Sequence, residues 1–149
     1  MNKITAITLF LIFTLLSCKK STQEIEYTFL SNSIEQINIA NNYEWIVVLP
    51  GAGCHGCIQE GEYFMKENID NRKILFVLIN TSSLKLLQQK IGVKLKEHSN
   101  VYIDKDFIFD IPSNNVIYPC VIRLEKGKIK QFEFQSPKNA AFHKIKKFI

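Results

Sequence analysis

The sequence predicts an α/β domain, and three observations carry that expectation. Trp45-Ile46-Val47-Val48-Leu49 and Ile74 to Ile79 are continuous apolar runs, the composition of strands buried on both faces. Between them a segment with helical spacing starts at Cys54 and Cys57 and reaches about Asn68, so strand, helix and strand follow as a βαβ unit. Cys120 to Leu124 and Ile129 to Phe134 flank Lys126-Gly127 and read as a hairpin.

The elements follow in order from the N-terminus. Met1-Asn2-Lys3 is a short basic start, and Ile4 to Leu16 is a mostly apolar, uncharged stretch. That order is a secretory signal, too short for a span that needs about 20 apolar residues. Leu15-Leu16-Ser17-Cys18 resembles the lipobox of bacterial lipoproteins. The resemblance implies that residues 1–17 are a signal peptide and that Cys18 is the lipidated first residue of the mature chain. Residues 18–24 then form a polar tether and residues 25–149 the domain. An ordinary cleaved signal, or an uncleaved anchor, leaves the same domain outside the cytoplasm. Glu26 to Leu30 and Ile34 to Ile39 show partial alternation and are expected to be a pair of N-terminal strands. Asn41-Asn42 interrupts them.

Beyond the first βαβ unit, Thr81-Ser82-Ser83 offers capping hydroxyls, and Leu84, Leu87 and Ile91 recur at helical spacing before Gly92. Val101-Tyr102-Ile103 is a short strand, and Asp104 to Asn115 an irregular connection. After the hairpin, Ser136-Pro137 is expected to open the last helix, with Ala141, Phe142, Ile145, Phe148 and Ile149 as its apolar stripe. There is no internal repeat, low-complexity tract or second domain.

Nineteen basic residues against fourteen acidic ones give a net charge of +5, and Lys3 leaves with the leader. The lysines are scattered apart from Lys144, Lys146 and Lys147. That cluster reads as the solvated face of a helix, not as a nucleic-acid surface, with attraction to anionic headgroups a weaker reading.

Cys54-His55-Gly56-Cys57 carries the chemistry. A disulfide across two residues closes a tiny loop, and chain-entropy stabilisation is small for short loops. An exported pair at this spacing therefore suits thiol–disulfide exchange better than a structural staple. The thiolate is the nucleophile. Cys54 stands where a buried strand ends and a helix begins, and unpaired N–H groups there favour negative charge. Cys54 is expected to be exposed and to attack; Cys57, inside the first turn, is expected to resolve. Gly51 and Gly53 allow a sharp turn, and His55 is either a modulator that adds positive charge beside the thiolate or a merely exposed side chain.

This run of elements resembles the thioredoxin-like superfamily over roughly residues 43–149. The resemblance implies a central mixed sheet flanked by helices, here with the N-terminal strand extension, and dithiol–disulfide exchange with protein substrates. It places Tyr118-Pro119 where that family carries a cis-proline lining the substrate groove; a cis bond is a specific expectation. The long separation of Cys54 and Pro119 is similar to the membrane-tethered TlpA/ResA type. Three departures stand out. Gly53 replaces the tryptophan before the first cysteine, the intervening pair is His-Gly, and Val48 stands where the family carries a buried acid. Glu60 and Glu62 are nearby acids of unknown placement.

Other chemistries fit less well. Zinc needs about four ligands, and His55, His98 and His143 supply no second ligand pair. Haem attachment needs histidine after the second cysteine, where Ile58 stands. Copper delivery is associated with a wider cysteine spacing. Gly51-Ala52-Gly53 has no following Lys-Ser or Lys-Thr to make a phosphate cradle. No metal or cofactor is expected. Cys120 is either a small apolar residue entering a strand or a third redox cysteine facing Cys54. The leading expectation is an envelope thiol–disulfide oxidoreductase, lipid-anchored and acting as a reductant on protein substrates, fed by an upstream electron donor. The alternatives are a non-enzymatic envelope binding module with a passive disulfide, and a peroxiredoxin-like peroxide reductase.

Overall fold

The structure, a computed structural model, describes residues 20–38 and 42–149. The signal peptide and Cys18 expected from the sequence lie outside the described residues. The elements are α1 (Thr22–Gln36), β1 (Trp45–Pro50), α2 (His55–Asn68), β2 (Ile74–Ile79), α3 (Leu84–Ile91), β3 (Val101–Ile103), β4 (Cys120–Glu125), β5 (Lys128–Phe134) and α4 (Ala141–Ile145), with 3-10 turns at Leu95–Glu97 and Asn114–Ile117. Five strands form one mixed sheet in the order β3-β2-β1-β4-β5. β1 pairs in parallel with β2, as does β2 with β3, whereas β4 runs antiparallel to β1 and to β5. The sheet is thus flanked by helices, as expected for an α/β domain.

Strand side chains alternate between faces, so each apolar run supplies two cores. Trp45, Val47, Leu49, Ile74, Phe76, Leu78 and Val121 point to one face, where Phe64 and Met65 of α2, Ile69 just beyond it, Ile91 of α3, and Phe142 and Ile145 of α4 cover them. Ile46, Val48, Leu75, Val77, Ile79, Cys120 and Ile122 point to the other, covered by Leu30 and Ile34 of α1 and by Phe109 and Ile111. All six residues of both β1 and β2 are buried, as the continuous apolar runs require. Gly61 allows α2 to approach the sheet, since a Cβ there would lie 2.6 Å from Leu49 Cδ2.

Two expectations are corrected. The N-terminal segment is the helix α1, not a pair of strands, and it starts inside the expected tether. Ser21 accepts from the Glu24 N–H and Glu24 accepts from the Ser21 N–H, a reciprocal capping box that satisfies two first-turn donors. The buried positions Glu26, Leu30, Ser33 and Ile34 fall on one helical face. The last helix also starts later than Ser136-Pro137. Ser136 and Asn139 pair across a tight turn, the Asn139 amide donates to Phe134 O at 3.0 Å, and α4 begins only at Ala141. Ala141, Phe142 and Ile145 are buried, but Phe148 and Ile149 are exposed.

The remaining boundaries agree closely with the sequence reading. Ser83 caps α3 by accepting from the Leu86 N–H, and Gly92 ends it in the left-handed region at φ 70°. The β4–β5 turn carries positive φ at Lys126 and Gly127. The segment after β3 is organised by buried Asp104, whose carboxylate accepts from the N–H groups of Asp106, Ile108 and Phe109 at 3.2, 3.1 and 2.8 Å. That turn drives Phe109 into the core. Among the described residues, no helix is long and apolar enough to cross a membrane.

Candidate functional site

β1 delivers the chain to a narrow passage. A Cβ on Gly51 would lie 2.7 Å from Thr81 Cα, and one on Gly53 would lie 2.7 Å from Ile117 Cα. Gly53 also adopts φ 139°, a region L side chains rarely enter. Glycine is therefore needed twice for the chain to thread between the start of the α3 segment and the turn before β4. Cys54 follows as the N-cap of α2, with extended backbone (φ −67°, ψ 98°). Its N–H donates to Ile117 O at 3.0 Å, and its C=O accepts from the Ile58 N–H at 2.9 Å.

Cys54 and Cys57 form a disulfide with their Cα atoms 5.3 Å apart. Cys54 is half-buried and Cys57 is 5 % exposed. The Cys54 side chain makes no cap hydrogen bond to the first turn of α2, whose leading N–H groups have no partner within the helix. A thiolate released at Cys54 would sit at the positive end of the helix dipole. His55 is exposed at the first helical position beside it. The arrangement can carry out disulfide exchange: one sulfur open to a partner, a second held behind it within bonding reach.

The expected groove residues lie alongside, with one correction. The Tyr118–Pro119 bond is trans, since the described residues hold no cis peptide bond. Tyr118 is extended (φ −108°, ψ 143°), the conformation favoured before a trans proline, and the chain runs straight from it into β4. Pro119 is buried and Tyr118 half-buried, so the side chain next to the passage that is exposed is Ile117, at 41 %. Pro119 O accepts from the Gln135 N–H at 2.8 Å. The buried Gln135 side chain donates to Glu60 on α2 and accepts from the Phe142 N–H at the start of α4. Gln135 therefore ties the segment before β4 to the cysteine-bearing helix.

Cys120 is fully buried and free. It pairs with Val48 and packs on the face covered by α1, across the sheet from the apolar side of α2. Burial first, and the Glu26 carboxylate second, push its thiol far above the usual range. This placement favours the small apolar residue over the third redox cysteine.

The acids resolve as follows. Glu60 bonds Gln135, and Glu62 pairs with Lys90 of α3. Glu26 is buried, 3 % exposed, and accepts from Ser113 Oγ and Asn115 Nδ2 at 2.5 and 2.8 Å. Sequence reading singled out neither Ile117 nor Gln135 nor Glu26 as a site residue. Ile117 had an available signal in its position just before Tyr118-Pro119, whereas Glu26 meets partners 87 and 89 residues away and Gln135 meets Glu60 from 75 residues away. Lys144 pairs with Glu133 and Lys146 with Glu67, consistent with a solvated helix face. Among the described residues, no three His, Cys, Asp or Glu side chains come together as metal ligands do. The chain matches no family model, no curated protein and no solved structure.

Proposed function

We propose that this protein is a thiol–disulfide oxidoreductase of the bacterial cell envelope, built on a thioredoxin-like domain and held to a membrane by lipid on Cys18. The observation that carries the reading is the asymmetric pair at the start of α2: Cys54 accessible at the N-cap, Cys57 buried behind it. The strand order and the position of the pair between β1 and α2 support the thioredoxin-like reading. Leu15-Leu16-Ser17-Cys18 supports the anchor and the envelope location.

The domain acts as a reductant. The Cys54 thiolate attacks one sulfur of a substrate disulfide, and the other substrate sulfur leaves as a thiolate and takes a proton. The Cys57 thiolate then attacks Cys54 Sγ, closes the internal disulfide and releases the second substrate thiol. Two electrons pass to the substrate, and an upstream dithiol returns the pair to the reduced state. Ile117 and Tyr118 line the approach of a polypeptide substrate, with Pro119 beneath them.

The test is turnover of insulin disulfides by the reduced protein with dithiothreitol in excess. Wild-type protein should reduce insulin well above the rate of dithiothreitol alone. Cys54→Ser should fall to that background, and Cys57→Ser, reduced and then freed of dithiothreitol before insulin is added, should accumulate a mixed disulfide through Cys54. A wild-type rate equal to background would overturn the reading and favour a passive disulfide in a binding module.

A further inference from the structure

We propose that Glu26 is a positioning residue of the redox site: its buried carboxylate holds the turn whose Ile117 carbonyl receives the Cys54 N–H. The inference rests on the oxidoreductase reading for its functional meaning, but its geometry does not.

A carboxylate taken out of water is costly unless its oxygens are hydrogen-bonded. Glu26 draws the donors to one of its oxygens from one short segment. Its Oε1 accepts from Ser113 Oγ at 2.5 Å and from Asn115 Nδ2 at 2.8 Å. Ser113 Oγ also accepts from the Asn115 N–H at 3.1 Å, which starts the 3-10 turn Asn114–Ile117. The Tyr118 N–H closes that turn on Asn115 O at 2.9 Å. At its end, Ile117 O accepts from the Cys54 N–H. A chain of bonds thus runs from the N-terminal helix to the attacking cysteine.

A second bond keeps α1 in place over the same connection: Ser33 Oγ donates to Ile108 O at 2.6 Å. The passage leaves little slack, because Gly53 already lies against Ile117. Held this way, Cys54 keeps its extended N-cap backbone at the positive end of the α2 dipole. The role needs an acceptor at Oε1 and not a charge, so glutamine should substitute and alanine should not.

The test compares wild-type protein with Glu26→Gln, Glu26→Ala and a Ser113→Ala/Asn115→Ala double variant. Amide hydrogen exchange at Cys54 reads the bond directly, and iodoacetamide alkylation of the reduced protein at pH 7 reads Cys54 reactivity. Glu26→Ala should speed Cys54 exchange at least about tenfold while leaving exchange in β2 unchanged. It should slow Cys54 alkylation roughly threefold, the scale of one helix-terminus interaction. The double variant should reproduce both effects from the other side of the contact, and it decides the matter if Glu26→Ala does not fold. Glu26→Gln should stay near wild type. Wild-type Cys54 exchange in the alanine variants overturns the proposal, as does a Glu26→Gln protein as altered as Glu26→Ala. Failure of wild-type protein to reduce insulin would sink the oxidoreductase reading alone, since the exchange measurement needs no turnover.

Discussion

The two faces of the sheet are covered by different means. On one, α2, α3 and α4 lay apolar stripes on the strands, and the buried polar groups serve helix ends. Asn100 donates to Ile69 O just beyond α2 and Gln135 accepts from the Phe142 N–H of α4. On the other, one helix shares the cover with an irregular connection, and the buried polar groups build that connection. Asp104 gathers three N–H donors, Ser33 staples Ile108, and Glu26 holds Ser113 and Asn115. Apolar burial is non-directional and holds elements together. Hydrogen bonds to buried carboxylates are directional and hold a loop in one shape. The candidate site lies where the two meet, with its cysteines on a helix of the first kind and Ile117 on a turn of the second.

Perturbing each face should have a distinct signature. The largest effect is expected for Phe64→Ala, which empties a fully buried site between α2, Phe76 and Phe142. It should lower global stability by about 3–5 kcal/mol in denaturant titration, with no selective exposure of residues 104–117. Asp104→Ala leaves three backbone donors without their acceptor, the Phe109 N–H among them in the core. A loss of roughly 2–3 kcal/mol is expected, with amide exchange accelerated first at residues 106–109. A uniform loss of protection across the sheet in Asp104→Ala would break the distinction between the faces.

The smallest effect sharpens it at one residue. Cys120 is neutral in its buried site, with its titration raised above the ordinary value of 9.0 by burial and then by Glu26. The unfolded thiol ionises near that ordinary value, so above it the unfolded state binds fewer protons than the folded state. Stability contributed by the protonated thiol is complete below pH 9 and is lost progressively as pH rises toward the folded value. At pH 10 the wild-type protein should have lost about 1.4 kcal/mol more than Cys120→Ala, each measured against its own stability at pH 8. Parallel stability curves for the two proteins between pH 8 and pH 10 would mean that Cys120 is not held in the core as described.

Much of the helical face was legible from local pattern. The apolar runs of β1 and β2, the cysteine pair at the start of α2, Ser83 and Gly92 around α3, and Lys126-Gly127 in the hairpin each signal structure within a few residues. The other face hid its logic. The buried side of α1 includes Glu26 and Ser33, which read as polar and blur the helical stripe. Its capping box at Ser21 and Glu24 falls in the segment expected to be a polar tether, and the partial alternation after it points to strands. The last helix was misplaced for a related reason. Ser136-Pro137 has the residues of a helix start, but Asn139 bonds back to Phe134 and keeps a turn there. Cys54 and Cys57 stand out from their spacing and from their place between a buried strand and a helix start. The bond between Cys54 and Ile117, and the support of Glu26 beneath it, arise only when distant segments meet.

The ends of the sheet bear on what such a site can handle. A protein that works on polypeptides with open disulfides meets clients whose own strands lack partners, and an open sheet edge invites them to pair. Here one edge is β3, only three residues long, and the other is β5, which sets exposed Lys128, Lys130 and Gln131 toward solvent. Brevity guards one side and charge the other. An unpaired strand of another chain therefore finds little to zip onto at either edge of this sheet.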